Sequence, residues 1–406
     1  MVRVALTSFR WPLDPALVEG RDETTLARAL YSTPLRTDPA TGAVIPGLCT
    51  AWKASPDFRE WTFTCGSAPS IAAALRRLAG LKNSPSRWLF ADATRIAADS
   101  PTRLRIALRS GWRRFPYAMT AIAAAPRFVP GPFRFVSGSP NRVVVRNDQL
   151  TVIFRRLGTY AAERAFREGQ VDEAPVPLGD VVADRKDPAL RSAVRTRRLL
   201  ALDLVAFHDV DPKLRSAYWQ TADRTDYEQL VPEEDGASAY AVVGAGPGAD
   251  PAAFRKAVHQ IPSLPRVPVR IAVPPDPALR YGARLLYANW RDLGLGPRLV
   301  SEAAGSAASF QRLLALYPQD EAIPAELALR DGLGSRRELE RALAATDQTA
   351  VLKQFDDRLR GSAAVIPIAW VVDTRLVSPR LQGWREDLLG SVDYTSVRSQ
   401  AASRGP

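Results

Sequence analysis

Apolar and polar positions change period repeatedly along this chain, and each period predicts an element. At residues 71–81 the run IAAALRRLAGL repeats its apolar positions at helical intervals beside a basic flank, so a helix is expected. TRLRIALRS, at residues 102–110, alternates apolar with polar residues as a half-buried strand does. NRVVVRN and LTVIFRRL carry strand patterns on either side of Asn147-Asp148, which predicts a hairpin. A helix over residues 160–168 should end at Gly169, because glycine accepts the left-handed conformation that closes a helix; Val171 then opens a strand. A helix is expected over residues 211–231, and VPVRIAVPP with ALRYGARLLYANWRDLGLGPRLV reads as strand, helix and strand, the helix ending at Leu293-Gly294. Residues 13–63 read as an extended entry, a short helix ending at Tyr31, a turn from Asp38 to Gly42 and a strand pair carrying tryptophan. Helix and strand alternate throughout, an α/β pattern without the even spacing of a repeated βαβ array.

Composition narrows the class. A chain of 406 residues exceeds what one hydrophobic core usually organises, so two or more lobes are expected. With 46% hydrophobic and 24% charged residues it reads as a soluble globular protein, and no stretch approaches the roughly 18 apolar residues that span a bilayer. The start, MVRVALTSFRWPLDP, shows no apolar run followed by a cleavage site, so no signal peptide is visible. The net charge of +12 is carried mostly by arginine, but the arginines are scattered among acids, as in RDETTLARAL, which predicts a solvated surface and no nucleic-acid partner.

Candidate chemistry is sparse. The only histidines, His208 and His259, and the two cysteines are too few and too separated for a metal site, and no serine lies in a G-x-S-x-G turn. Glu233-Glu234 sits in VPEEDG, a loop composition, and GAGPGAD lacks the lysine of a phosphate-binding loop. Binding is therefore expected, with no enzymatic activity and no cofactor. Cys49 and Cys65 fall on two segments predicted to pair; an oxidised pair would suit an extracytoplasmic location, and two reduced buried thiols are the alternative.

LDPAL, LYSTPL and VIPGLCTAWKASPDFREWTF follow one another in residues 13–63. They resemble the amino-terminal signature of the extracytoplasmic solute-binding proteins that deliver peptides, and in some members nickel or sugars, to ABC importers: LDP, LYEGL, VPGLAESW, an acidic turn and WTF. The likeness continues in order. PGPFRFVSGSPNRVVVRN is similar to the family's GTGPYRL and RNP segments, and AFREGQVDEA to its helix with GEVDIA. LDLVAFHDVDPKLRSAYWQTADRTDYEQLV resembles an FN strand end followed by a VRxAL helix and a DR motif, with Arg215, Asp223 and Arg224 expected on a helix face in local ion pairs. ELERALAATDQTAVLKQFDDRLRGSAAVIPIAWVVDTRLV resembles the family's long helix, IPI strand and RLV segment. The resemblance spans residues 13–384, and its specific signal is the order of motifs that are each weak alone.

This resemblance implies an α/β, two-lobed periplasmic-binding-protein-like fold of the type II, Venus-flytrap kind, with mixed sheets and a hinge between lobes. Lobe one would comprise residues 1–204 and 367–406, with a reduced subdomain at about 45–135, and lobe two residues 205–366; the chain would cross near 202–208 and 365–371. The implied activity is capture of a small solute or peptide in the interlobe cleft by hinge closure, as a monomeric substrate-binding component that meets an ABC-transporter permease and touches the membrane only by anchoring or docking. The alternative is a ligand-sensing regulatory protein of the same fold. Cleft candidates are Tyr31, Phe207, His208, Leu316, Tyr317 and Trp370. Relatives often read WxADYxxP where this chain reads LLALYPQDEAIP: Leu316 stands where their aspartate pairs with a peptide's amino terminus, while Tyr317 is retained.

Overall fold

The computed structural model describes residues 1–127, 129–229, 238–244, 246–274, 276–301, 306–329, 332–333 and 336–400; the acidic loop at Glu233-Glu234 lies outside them. In chain order the strands are β1 (Val2–Leu6), β2 (Leu35–Thr37), β3 (Val44–Pro46), β4 (Cys49–Ala54), β5 (Glu60–Cys65), β6 (Ala93–Ser100), β7 (Arg103–Leu108), β8 (Arg134–Ser139) and β9 (Arg142–Arg146). They continue as β10 (Thr151–Arg156), β11 (Glu173–Pro175), β12 (Val194–Phe207), β13 (Val269–Ala272), β14 (Pro297–Val300), β15 (Ala308–Leu314), β16 (Val365–Val377), β17 (Leu381–Gln382) and β18 (Arg398–Ser399).

Ten of these form one mixed sheet in the order β14-β13-β15-β12-β16-β11-β1-β10-β9-β8. Its two central members are the longest, and their sequences explain why. LLALDLVAF in β12 and VIPIAWVV in β16 are nearly continuous apolar runs, as strands buried on both faces require. The outer strands attach at opposite ends of this pair: β15 pairs with Ala201–Phe207 of β12, whereas β11 pairs with Arg375–Val377 of β16. Between these attachments the β12–β16 register slips, once between Arg198 and Leu202 and again between Asp203 and Leu204. Such irregularities bend and twist a ladder.

Among the described residues, three large apolar cores and two small ones sit around this frame. One packs β1, β9 and β10 with the helix Gly20–Leu30. A second packs the ends of β12 and β16 with β13, β15 and the helices Pro212–Gln220 and Pro277–Asp292. The third fills the four-stranded sheet β4-β5-β7-β6 under the helix Ala68–Gly80 and continues into Leu202, Leu204, Tyr317 and the helix Ala322–Leu329. Cys49 and Cys65 are directly paired across β4 and β5 and are joined by a disulfide.

Two expected helices are interrupted. The pattern over 211–231 yields Pro212–Gln220 and then Thr225–Glu228, because Arg224 turns inward. Its guanidinium donates to the carbonyls of Ala222, Ala239 and Pro367 and stacks on Trp219 and Tyr240, and burial pushes it down to about 10. It is thus a buried tie to β16 and not a member of a surface ion pair. The long carboxyl-terminal helix is divided into Arg336–Ala344 and Thr349–Ser362 where Asp347 accepts the amide of Thr349.

Candidate functional site

Where β12 and β16 lose register, the surrounding elements enclose a cavity of about 930 Å³. Its walls come from elements on both sides of the β12–β16 pair. The amino-terminal side supplies Thr7, Ser8, Arg21, Asp22 and the segment 175–179; the other side supplies Pro274, Leu279, Gln311, Arg312 and Leu314–Leu316. Strand alternation brings Leu199, Ala201 and Asp203 of β12 to it, and β16 contributes 369–375.

The polar wall is built from ion pairs that are buried or half-buried. Asp203 lies opposite Arg312 across β12–β15 and accepts from it at both oxygens, Nε to Oδ1 at 2.7 Å and Nη2 to Oδ2 at 2.8 Å. This fork-on-fork geometry holds both groups in place. Arg21, in the first turn of helix Gly20–Leu30, meets three acids: Glu386 at 2.7 Å, Asp373 at 2.9 Å and Asp22 at 3.2 Å. Asp22 also accepts from the amides of Thr7 and Ser8. Three carboxylates around one guanidinium cannot all stay charged at low cost in a buried site. Burial and the charge of Asp373 push the Glu386 carboxyl well above the usual range; at Asp373 burial is outweighed by Arg21 and Arg375, which hold it low. Arg375, fully buried, pairs with Glu173 at 2.9 Å, and the other oxygen of Glu173 accepts from Trp384 and Tyr394, each at 2.7 Å.

The apolar wall includes Val18, Ile122, Leu199, Leu316 and Trp370. Arg198 lies over the Trp370 ring at 5.2 Å from its centroid, and burial lowers its pKa. A pocket with broad apolar walls and a few fixed charges binds and orients a small molecule. Among the described residues no group of three or more His, Cys, Asp and Glu could hold a metal ion.

Of the six sequence-derived cleft candidates, Leu316 and Trp370 line the cavity and the other four lie elsewhere. Tyr31 caps helix Gly20–Leu30, its hydroxyl donating to the Leu13 carbonyl at 2.8 Å, so the side chain points along the entry segment. Phe207, at the end of β12, packs into the second core against Tyr218. His208 is exposed beyond that strand end, with Nε2 at 3.2 Å from Ser309 Oγ. Tyr317 is fully buried in a cage of Trp88, Trp112 and Tyr117, because it follows Leu316 on the opposite side of the chain. Sequence reasoning missed the cavity residues Arg21, Asp203, Arg312 and Asp373, and Glu386, which pairs with Arg21 behind them. The available signal was an acid inside an otherwise apolar strand, in LALDLVAF and again in WVVDTRLV.

No family model matches the sequence, and no curated protein matches it. Solved structures match its fold. The Escherichia coli murein tripeptide binding protein MppA overlays with a TM-score of 0.85 at 16% identity, covering 98% of each chain. The unliganded open form of MppA overlays with 0.70 at 17% identity, covering 100% of this chain and 98% of that one. AgaA from A. tumefacien R10, in complex with agropinic acid, overlays with 0.81 at 14% identity, covering 98% of this chain and 99% of that one. The chain therefore has the two-lobed α/β fold of these binding proteins.

Proposed function

We propose that this protein captures a small solute in the cavity on β12 and β16, as the extracytoplasmic substrate-binding component of an ABC importer, without catalysing a reaction. The observation that carries the reading is the cavity itself: about 930 Å³ with walls from both sides of the crossing strands. A ligand there touches both halves only when they are together, so its binding favours closure. The lobes in this reading are residues 1–204 with 367–406 and residues 205–366, and the register slip between Arg198 and Leu202 is the hinge in β12. The better overlay on a ligand-bound neighbour than on an open one supports taking the present conformation as the closed one.

Leu316 bears on the ligand. A buried ammonium without a carboxylate is strongly disfavoured, and the position where relatives place that carboxylate is apolar here. The solute is consequently held by the charged wall at Asp203, Arg312 and Asp373 and by Trp370. Titration with di- to penta-peptides, N-acetylated peptides, sugars and nickel, read by tryptophan fluorescence and small-angle scattering, tests this. At least one class should give saturable quenching with compaction, and Trp370→Phe should remove most of the quench. If no compound compacts the protein, the binding reading is wrong; if peptides bind only through a free amino terminus, the argument from Leu316 is wrong.

A further inference from the structure

Three of the four positions 195–198 are arginine, in the run RTRR near the start of β12. Side chains alternate along a strand, so Arg195 and Arg197 share one face while Arg198 turns to the other and lies over Trp370. Arg195 and Arg197, with Thr196, Trp384, Arg385 and Glu386, line a notch of about 280 Å³ between this end of β12 and the segment that follows β17. The Arg197 guanidinium reaches across to the Glu386 carbonyl, while the carboxylate of that same residue holds Arg21 at 2.7 Å.

Three guanidinium groups at one notch repel one another, and the acids that strand register brings close are already committed. Arg195 lies opposite Arg375 across β12–β16; the partner of Arg375, Glu173, gives its other oxygen to Trp384 and Tyr394. Arg197 lies opposite Asp373, which holds Arg21 at 2.9 Å. The side chains of Arg195 and Arg197 consequently donate to backbone carbonyls, Arg195 to those of Ser192 and Val194 at 2.9 Å each. Arg385 is exposed, and Asp38 feels its charge as the weakest of several influences on that acid. Among the described residues none of the three arginines forms an ion pair. Trp384, whose indole N–H is taken by Glu173, offers the notch only its ring.

We propose that this notch binds a phosphate group, free or as a small monoester. Guanidinium forks match phosphate oxygens in pairs, and three of them balance a dianion. A carboxylate brings two oxygens and one charge, so it would leave part of the cluster unmatched; phosphate brings enough of both. The Trp384 ring forms an apolar wall on which the carbon part of a monoester rests. No residue lines both this notch and the large cavity, so the site is additional to the one proposed for the solute. Glu386 joins the two, through its carbonyl on Arg197 and its carboxylate on Arg21.

The test is isothermal titration calorimetry of the full chain, in phosphate-free buffer, with inorganic phosphate, glycerol 3-phosphate and succinate. Saturable binding of phosphate at millimolar concentration or below, weakening with added salt, is expected, and the tighter of the two phosphates tells a free ion from a monoester. Arg195→Gln with Arg385→Gln should weaken it by about ten-fold or more, because charge-assisted donors are lost. The control Arg255→Gln with Lys256→Gln, both exposed on the helix Pro251–Gln260, removes the same charge elsewhere and should change binding by less than about three-fold. Arg385→Gln alone alters an exposed side chain, so it should keep the urea midpoint while weakening phosphate by about three-fold or more, which separates a lost site from lost folding. Binding of neither phosphate, undiminished binding in the Arg195 and Arg385 double variant, equal loss in the control pair, or succinate binding as tightly as phosphate would overturn the proposal.

Discussion

Tyr317 shows how one side chain can take a role that its sequence neighbourhood does not announce. It is enclosed by Trp88, Trp112 and Tyr117, and its hydroxyl has no hydrogen-bond partner among the described residues. The ring is thus expected to carry the stability and the hydroxyl none. Tyr317→Ala should cost about 3–5 kcal/mol, whereas Tyr317→Phe should be neutral or slightly stabilising because it removes a buried unpaired polar group; urea denaturation of both variants checks this. A second residue ties stability to pH. Burial, followed by the charge of Glu163, raises Asp184 from 3.8 to about 6, against the opposing pull of Arg167. Its folded value lies above its unfolded one, so between these limits the folded state holds a proton that the unfolded state has released. Stability from this group is complete below 3.8 and is lost as pH rises to about 6. Asp184→Asn should flatten that part of the stability curve and leave the remainder in place. Neither effect was legible in the sequence, since adjacent residues such as Leu316 and Tyr317 point opposite ways and a pattern of residue types does not say which faces the cavity.

At the scale of elements, legibility was higher where a period ran uninterrupted and lower where a tertiary contact broke it. The hairpin at Asn147-Asp148 and the helix closed by Gly169 at φ 67° follow directly from local chemistry. The helix after Asp211 stops early because Arg224 finds the carbonyls of Ala239 and Pro367 beyond its own segment, which no local window contains. The pairing within the charged wall was illegible for the same reason: Arg21 and Asp373 come from opposite ends of the chain. The pairing of β4 with β5 leaves a disulfide with a sequence separation of 16, so it restricts the unfolded chain through a short loop. Its removal by Cys49→Ala with Cys65→Ala should cost about 3 kcal/mol. The four-stranded sheet should lose hydrogen-exchange protection before the ten-stranded one does; simultaneous loss in both would mean that the two sheets unfold as one cooperative unit.

For the whole molecule, the question is what holds the present conformation when no ligand is bound. The third core runs without interruption from the four-stranded sheet into Tyr317 and helix Ala322–Leu329, so residues on the far side of β15 are packed against residues 86–119. Polar contacts reinforce that seam. Arg114 reaches Gln319 and pairs with Glu321 at 3.3 Å, and the Arg113 amide donates to the Leu343 carbonyl at 2.9 Å. Glu321 is fully buried, and burial raises its carboxyl despite Arg114. Hinge motion as proposed would have to part this seam, and a ligand can shift the balance only by its differential affinity for the closed form. The seam therefore sets the resting population: the tighter it is, the less closure remains for the ligand to drive. Removing Arg114 leaves a buried acid without its donor, at a cost of about 1–3 kcal/mol to the closed form alone. Arg114→Ala should accordingly enlarge the radius of gyration of the ligand-free protein, and a bound solute should restore the compact value with weaker apparent affinity. An unchanged radius in Arg114→Ala combined with Tyr317→Ala would show that the lobes do not separate along this seam, and would move the opening to the register slip in β12 without parting the third core.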